Sequence, residues 1–171
     1  QWTLGRQPAG SIALGVNELT LAVKQTRSYL SSLLQGPTLS DFYLEITASP
    51  SLCREADEYG LLLRVSPALD FLRFGLLCNG QARLDRYTSG QATSPIPPTV
   101  SGVVPPGAPS TSRLGVWAVG KELRFYANSQ FLFSVRESVL LSGGLGVFAR
   151  SVSSDALTVN FSNLSVYSAS P

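Results

Sequence analysis

The sequence predicts an all-β protein, a sandwich of two antiparallel sheets with at most one short helix. Turn residues recur at short intervals along the 171-residue chain, and short runs rich in Val, Leu, Phe, Tyr and Thr lie between them. This pattern is typical of many short strands. No repeat of fixed period is present, which argues against a propeller or a solenoid. The clearest predicted strands span residues 42–48, 60–65, 71–77, 82–87, 113–119, 122–127, 131–136, 144–149 and 157–167.

Length and composition favour a single monomeric domain over residues 1–171, because β-sandwiches of this size are commonly undivided. Charged residues make up 14% of the chain and apolar residues 44%, which is typical of an ordered globular domain. The 13 basic and 11 acidic residues leave a net charge of +2. Such a small charge argues against nucleic acid as a partner. The apolar runs are too short for a membrane-spanning helix, so we expect no membrane insertion.

The segment 17–35 fits two structures. Leu19, Ala22, Val23 and Leu30 follow helical spacing, with Asn17 as a possible N-cap. Apolar residues in the first part of the segment also alternate with polar ones, as they do in a strand. We favour strands, and a helix remains the alternative.

A long loop is predicted over residues 89–112. The composition changes there to Pro, Gly, Ser and Thr, and the prolines exclude a central strand. We interpret the segment as a surface excursion within one domain, because the strands that follow it need a partner sheet. Long ordered loops on sandwiches often carry function.

The chain contains two cysteines, Cys53 and Cys78. An even number of cysteines in such a chain indicates a disulfide formed in an oxidising compartment, and two buried free thiols are the alternative. We therefore expect a secreted or cell-surface protein.

Three hairpins are predicted from their turns. A loop over residues 66–70 would place Arg64 opposite Arg73, and a turn containing Asn79 and Gly80 would place Arg73 opposite Asp85. Strand alternation then separates an apolar face from a solvent face that crosses three strands. The predicted solvent face consists of Arg64, Arg73, Arg83, Asp85 and Tyr87.

The third hairpin turns at residues 120–121 and presents a second polar face. Trp117 would lie opposite Arg124, with Tyr126 beside them, and the other face of these strands is apolar. Aromatic rings beside Arg and Asp are what sugar-binding faces use, because a ring covers the apolar side of a pyranose. An Arg packed flat on an aromatic ring is also ordinary surface packing.

Four stretches carry a resemblance to a known superfamily. They read EYGLLLRVSPALDFLRFGLLCNGQARLDRY, RLGVWAVGKELRFYANSQFLFSV, GGLGVFA and VNFSNLSVYS. Together they resemble the concanavalin A-like lectin/glucanase superfamily, especially its laminin-G-like modules and the sugar-hydrolase-related domains of bacterial surface proteins. The resemblance implies a two-sheet jelly roll. Because its motifs are structural, it bears on the fold far more than on any activity.

Catalysis and metal binding find little support in the sequence. The chain has no His, the commonest general base. Glycosidases of this superfamily carry paired Glu residues around an Asp, and the one candidate is Glu55-Ala56-Asp57-Glu58. Its two Glu would point to opposite faces of a strand and lie in a predicted loop. Asp57 and Glu58, with Asp155, could also bind Ca²⁺, although solvated loop charges are the favoured interpretation and no cofactor is expected.

The leading hypothesis is a non-catalytic recognition module that binds carbohydrate or another surface protein. The candidate ligand-binding residues are those of the two polar faces. A carbohydrate hydrolase of the same fold is one alternative, and a structural accessory domain of a larger surface protein is another.

Overall fold

Every regular element of the protein is a strand in the computed structural model, which describes residues 1–153 and 155–170. In that part of the chain no helix is long and apolar enough to cross a membrane. The strands are β1 Gly5–Gln7, β2 Gly10–Gly15, β3 Glu18–Val23, β4 Tyr29–Leu39, β5 Phe42–Leu52, β6 Glu58–Val65, β7 Phe71–Leu77, β8 Gln81–Thr88, β9 Gln91–Val100, β10 Ser112–Val119, β11 Glu122–Ala127, β12 Gln130–Arg136, β13 Gly143–Arg150 and β14 Leu157–Ser168.

The strands form two antiparallel sheets. One has eight strands in the order β1-β2-β3-β14-β5-β10-β11-β12, and the other has six in the order β4-β13-β6-β7-β8-β9. Strands distant in sequence lie side by side, such as β14 between β3 and β5. The predicted two-sheet jelly-roll sandwich is thereby confirmed.

A single apolar core lies between the inner faces of the sheets. Leu, Val and Phe side chains at alternate positions of both sheets form this cluster, as the two-residue period of a strand requires. Phe74 of the six-stranded sheet contacts Phe125 of the other, with ring centroids 4.9 Å apart. Full burial of one such side chain contributes roughly 1.5–3 kcal/mol.

The segment 17–35 contains strands, as favoured from the sequence. Leu19, Leu21 and Val23 all enter the core from β3, and β4 begins at Tyr29. Asn17 has a φ of 57° and lies in the turn before β3, so it does not cap a helix. The strand period prevails here because burying every second residue of β3 completes the inner face of its sheet.

The predicted long loop over residues 89–112 is wrong in its first half. Residues Gln91–Val100 form β9, which pairs with β8 at the edge of the six-stranded sheet. An edge strand tolerates proline, because one side of its backbone has no partner to bond. The pairing register also shifts twice along β9. Residues 101–111 remain without strand structure.

Two of the three hairpin registers are confirmed. Arg73 pairs with Asp85, and Trp117 pairs with Arg124. In the first hairpin Arg73 pairs with Leu62, two residues from the predicted partner Arg64. A shift of two residues preserves the alternation, so Leu61 and Leu63 still point into the core.

The structural reason for the shift is a bulge at Arg64. Arg64 has a φ of 51°, and the pairing of β6 with β13 loses register close by. Gly143 permits the bulge, since a β-carbon there would lie 2.6 Å from Val65 N. The bulge reverses the alternation, so that Val65 packs outward with Leu62.

Arg64 is consequently buried, and the prediction that it lies on a solvent face is wrong. Its Nη1 donates to Leu140 O at 3.0 Å, and its Nη2 donates to Ser40 O at 3.0 Å and Gly120 O at 2.9 Å. These carbonyls belong to three different connections between strands. A single guanidinium therefore joins three loops at one end of the sandwich.

The predicted disulfide is present. Cys53 and Cys78 are bonded, with their Cα atoms 5.8 Å apart. The bond links the segment before β6 to the turn between β7 and β8. Cys78 N also donates to Asp57 O at 2.9 Å, which supports the same connection.

Replacing Arg64 by Met should destabilise the protein by at least about 3 kcal/mol, because three carbonyl groups lose their donor in a buried site. Urea unfolding followed by intrinsic fluorescence measures the change. Arg6→Met, at an exposed position of β1, is the matched control and should alter the free energy of unfolding by less than about 0.5 kcal/mol. Equal effects of the two substitutions would contradict the structural role of Arg64.

Removing the disulfide in a Cys53→Ser, Cys78→Ser double variant should lower the free energy of unfolding by about 3 kcal/mol, since a closed loop restricts the unfolded chain. The same measurement on the reduced wild-type protein should give a similar loss. An unchanged unfolding midpoint in both samples would show that the bond adds no stability.

Candidate functional site

The outer face of the six-stranded sheet carries a shallow groove that combines aromatic rings with arginines. The groove has a volume of about 460 Å³, and we call it the outer groove. Strand alternation places side chains from β4, β13, β6, β7 and β8 on this face. The outer groove is lined by Tyr29, Ser31, Leu33, Leu62, Val65, Leu69, Phe71, Arg73, Tyr87 and Arg150.

Asp85 holds two arginines in place on this face. Arg73 Nη2 donates to Asp85 Oδ2 at 2.8 Å, and Arg83 Nη2 donates to Oδ1 at 3.0 Å. Ser94 Oγ of the edge strand donates to Oδ1 at 2.7 Å. Burial alone would raise the pKa of Asp85, but these hydrogen bonds outweigh it and hold the pKa below its ordinary value. Asp85 is therefore ionised and fixes the positions of both guanidinium groups.

Glu58 is the second carboxylate of the face, and it is buried. Its side chain lies over Gly75, where a β-carbon would overlap the carboxylate. Only Arg150 Nη1 approaches its Oε1, at 3.4 Å. Burial raises the pKa of Glu58 and the charge of Asp85 adds to this effect, against the opposing charges of Arg73, Arg83 and Arg150.

Two aromatic stacks flank these charges. Phe71 and Tyr87 stack with centroids 5.1 Å apart and planes 9° from parallel. Tyr29 and Phe148 stack at 5.9 Å. Arg73 lies against the second stack, with its Cζ 5.7 Å from the Tyr29 ring centroid and 5.6 Å from that of Phe148. Contact with both rings and with Asp85 fixes the position of the guanidinium.

Buried polar atoms without hydrogen-bond partners cluster at this face. Tyr29 Oη, Glu58 Oε2 and Arg73 Nε are three of the five such side-chain atoms in the described part of the chain. Buried polar groups in native proteins are usually hydrogen-bonded, so a cluster of exceptions marks a candidate functional site.

The structure brings together four of the predicted residues. Arg73, Arg83, Asp85 and Tyr87 lie on one face across β7 and β8, as their alternation indicated. The prediction that Asp85 faces solvent is wrong, because its carboxylate is buried by the arginines and the serine that donate to it. Arg64, the fifth predicted residue of this face, is buried in the bulge.

Sequence reasoning missed Tyr29, Glu58, Phe148 and Arg150 as residues of this face. Tyr29 lay in the segment of uncertain structure, and Glu58 was assigned to a loop. Phe148 and Arg150 belong to β13, which inserts between β4 and β6. That neighbour relation is not encoded in any local turn, although the alternation within residues 144–149 could have placed Phe148 outward.

The other predicted polar face lies on the eight-stranded sheet. The Cζ of Arg124 lies 4.3 Å from the Trp117 ring centroid, and its Nε donates to Glu122 Oε2 at 3.1 Å. Tyr126 packs edge-on against Phe131, with centroids 5.9 Å apart. Arg124 thus covers one side of the Trp117 ring, and these residues are separate from the outer groove.

The interpretation of Asp57 and Glu58 as solvated loop charges is wrong, since both are buried. Asp57 Oδ1 accepts from Val152 N at 2.8 Å and Ser153 N at 3.0 Å, and its Oδ2 accepts from Ser153 Oγ at 3.0 Å. Asp155 pairs with Arg54 at 2.6 Å. The described residues contain no cluster of three or more side chains of the types that commonly ligate metals.

Comparisons with known proteins support the fold. No protein-family model and no curated protein matches the sequence. Many solved structures are similar to it, among them the carbohydrate binding module CBM66 from Bacillus subtilis, with 16% identity over 98% of this chain and 95% of that chain and a TM-score of 0.65. A Bacillus licheniformis beta-glucanase has 11% identity over 99% of this chain and 92% of that chain, with a TM-score of 0.69. A native glycosidic hydrolase has 9% identity over 98% of this chain and 90% of that chain, with a TM-score of 0.73.

Glu58→Gln should change how stability depends on pH. Because the pKa of Glu58 is raised in the folded protein, the wild-type protein loses stability relative to the variant as pH rises above about 4.5. The difference should grow until the pH exceeds the folded-state pKa and then stay constant. Urea unfolding of both proteins between pH 3 and 8 measures it, and the contribution of Glu137, which the two proteins share, cancels. A difference in the free energy of unfolding that shrinks with rising pH would contradict a raised pKa of the buried Glu58.

Proposed function

We propose that this chain, which has the concanavalin A-like jelly-roll fold, is a non-catalytic module that recognises carbohydrate in the outer groove. The observation that carries the proposal is the combination of two aromatic stacks with two arginines paired to Asp85 on the outer face of the six-stranded sheet. A ring covers the apolar side of a sugar, and arginines donate hydrogen bonds to its oxygens. Surrounding contacts fix these side chains, which lowers the entropic cost of binding.

The similar solved structures support a carbohydrate ligand. One is described as a carbohydrate binding module, and two are described as a beta-glucanase and a glycosidic hydrolase. At 9–16% identity they supply no residue of a site, so the proposal depends on the outer groove itself.

Hydrolysis is the second candidate, because Glu58 and Asp85 lie on one face with pKa values shifted in opposite directions. Burial of the two carboxylates favours binding instead. Each side chain is only 1% exposed, and Asp85 already accepts bonds from two arginines and a serine. A nucleophile or general acid must reach the glycosidic bond.

We place the protein outside the cell, as a secreted or cell-surface module, because its disulfide fits an oxidising compartment. There it would bind a free glycan or the glycan of a surface protein. An accessory domain without a ligand is the remaining alternative, and it predicts that the outer groove binds no saccharide.

Tyr87→Ala should weaken carbohydrate binding by about tenfold or more, because it removes one ring of the Phe71 stack from the groove. A glycan array identifies the ligand, and isothermal titration measures its affinity for each variant. Tyr167→Ala, an exposed tyrosine on the eight-stranded sheet, is the control and should bind like the wild type.

Two outcomes would contradict the proposal. Loss of binding in Trp117→Ala, together with full binding in Tyr87→Ala, would show that the binding site lies on the eight-stranded sheet. Release of reducing sugar from the bound glycan, abolished in Glu58→Gln, would establish the hydrolase.

A further inference from the structure

We propose that the outer groove selects acidic saccharides, and that the sugar carboxylate binds at the guanidinium groups of Arg73 and Arg150. This inference rests on the carbohydrate function proposed above and specifies the chemical class of its ligand. A sulfated or neutral sugar of the same size is the competing ligand.

A ligand that enters the outer groove meets positive charge at the surface. Glu58 and Asp85, the two carboxylates of the face, are each 1% exposed at the side chain. The arginines remain in part accessible, with side-chain exposures of 13% for Arg73, 19% for Arg83 and 38% for Arg150. The anions therefore lie beneath the cations, and the exposed charge is positive.

The arginines of the outer groove have hydrogen-bonding capacity that the protein does not use. Arg73 donates through Nη2 to Asp85, and 13% of its side chain stays accessible to a ligand. Its Nε also has no partner, but this atom is buried and lies out of a ligand's reach. Arg150 makes one long contact, 3.4 Å, with Glu58. A guanidinium only donates hydrogen bonds, so whatever completes this site must be an acceptor. A carboxylate is the acceptor whose planar geometry suits a guanidinium best.

Glu58 pairs with Arg150 through one long contact only, since Arg150 Nη1 lies 3.4 Å from Glu58 Oε1. Because the carboxylate lies over Gly75, its Oε2 is buried without a donor, and only its Oε1 contacts Arg150. The charged groups around this corner are Arg73, Arg83, Asp85 and Arg150. Arg150 is thus available to an external anion.

The outer groove also extends beyond the arginines. A second cavity of about 590 Å³ adjoins it and shares the apolar residues Leu33, Val65 and Leu69. This part of the groove offers an apolar surface on which the ring of a neighbouring sugar can pack. An acidic oligosaccharide, longer than one unit, therefore fits the groove better than a small carboxylate.

The test compares acidic oligosaccharides with their own carboxyl-reduced, neutral forms. Trimers of galacturonate, glucuronate and mannuronate are titrated calorimetrically into the wild-type protein, together with the three reduced trimers and a sulfated galactose trimer. At least one acidic trimer should bind about tenfold or more tightly than its reduced form. Its affinity should fall as NaCl is raised, and glucuronate monomer should bind more weakly than the trimer.

Two variants test whether the preference for acidic over neutral trimers depends on Arg150. Arg150→Gln should weaken binding of the acidic trimer more than binding of its reduced form, so that the preference of about tenfold falls to about twofold or less. Arg6→Gln removes the same charge from an exposed position on the other sheet and should keep the full preference. Thermal unfolding of each variant verifies that the fold is retained.

The failures are distinguishable. Equal or tighter binding of a neutral trimer, or a preference for acid that survives in Arg150→Gln, overturns the inference and leaves the carbohydrate function intact. Tighter binding of a sulfated trimer than of every carboxylated one also overturns it. Absence of binding by all the trimers, together with an empty glycan array, overturns both proposals.

Discussion

The buried guanidinium of Arg64 is the interaction on which one whole end of the sandwich depends. It binds the carbonyls of Ser40, Gly120 and Leu140. Two of these lie in connections that pass from one sheet to the other. A buried charge is tolerated only when such acceptors surround it, so the loops and the arginine must order together. The bulge that turns Arg64 inward also turns Val65 outward, and the same event shapes the outer groove.

Local sequence patterns predicted most of the strands, but they did not predict the pairing partner of every strand. Residues 71–77 and 82–87 alternate clearly and flank a turn with Gly80 at a positive φ of 90°, so their register was readable. The bulge at Arg64 depends on Gly143, a residue distant in sequence whose missing β-carbon makes room. Strand β9 was missed because proline content argues against central strands and says little about edges. Close approaches between distant segments leave no local signal.

The outer face shows why half of the candidate site was predictable. Arg73, Arg83, Asp85 and Tyr87 belong to adjacent strands joined by one short turn, so alternation alone assembles them. Tyr29 and Arg150 belong to β4 and β13, and they lie on this face because the jelly-roll crossover inserts β13 between β4 and β6. Glu58 followed a polar stretch that reads as a loop, and its burial depends on Gly75 in the next strand. Sheet order, which sequence spacing does not encode, decides this part of the site.

The prolines of β9 affect how the protein behaves among its neighbours. This strand forms one edge of the six-stranded sheet, and exposed edges recruit strands from other chains. Pro95, Pro97 and Pro98 carry no backbone N–H, and the pairing register shifts twice along β9, so the edge offers an incoming strand no regular row of donors. Copies of the protein at high local concentration would therefore resist edge-to-edge aggregation. The six-stranded sheet would gain no further strand, and its outer groove would stay accessible.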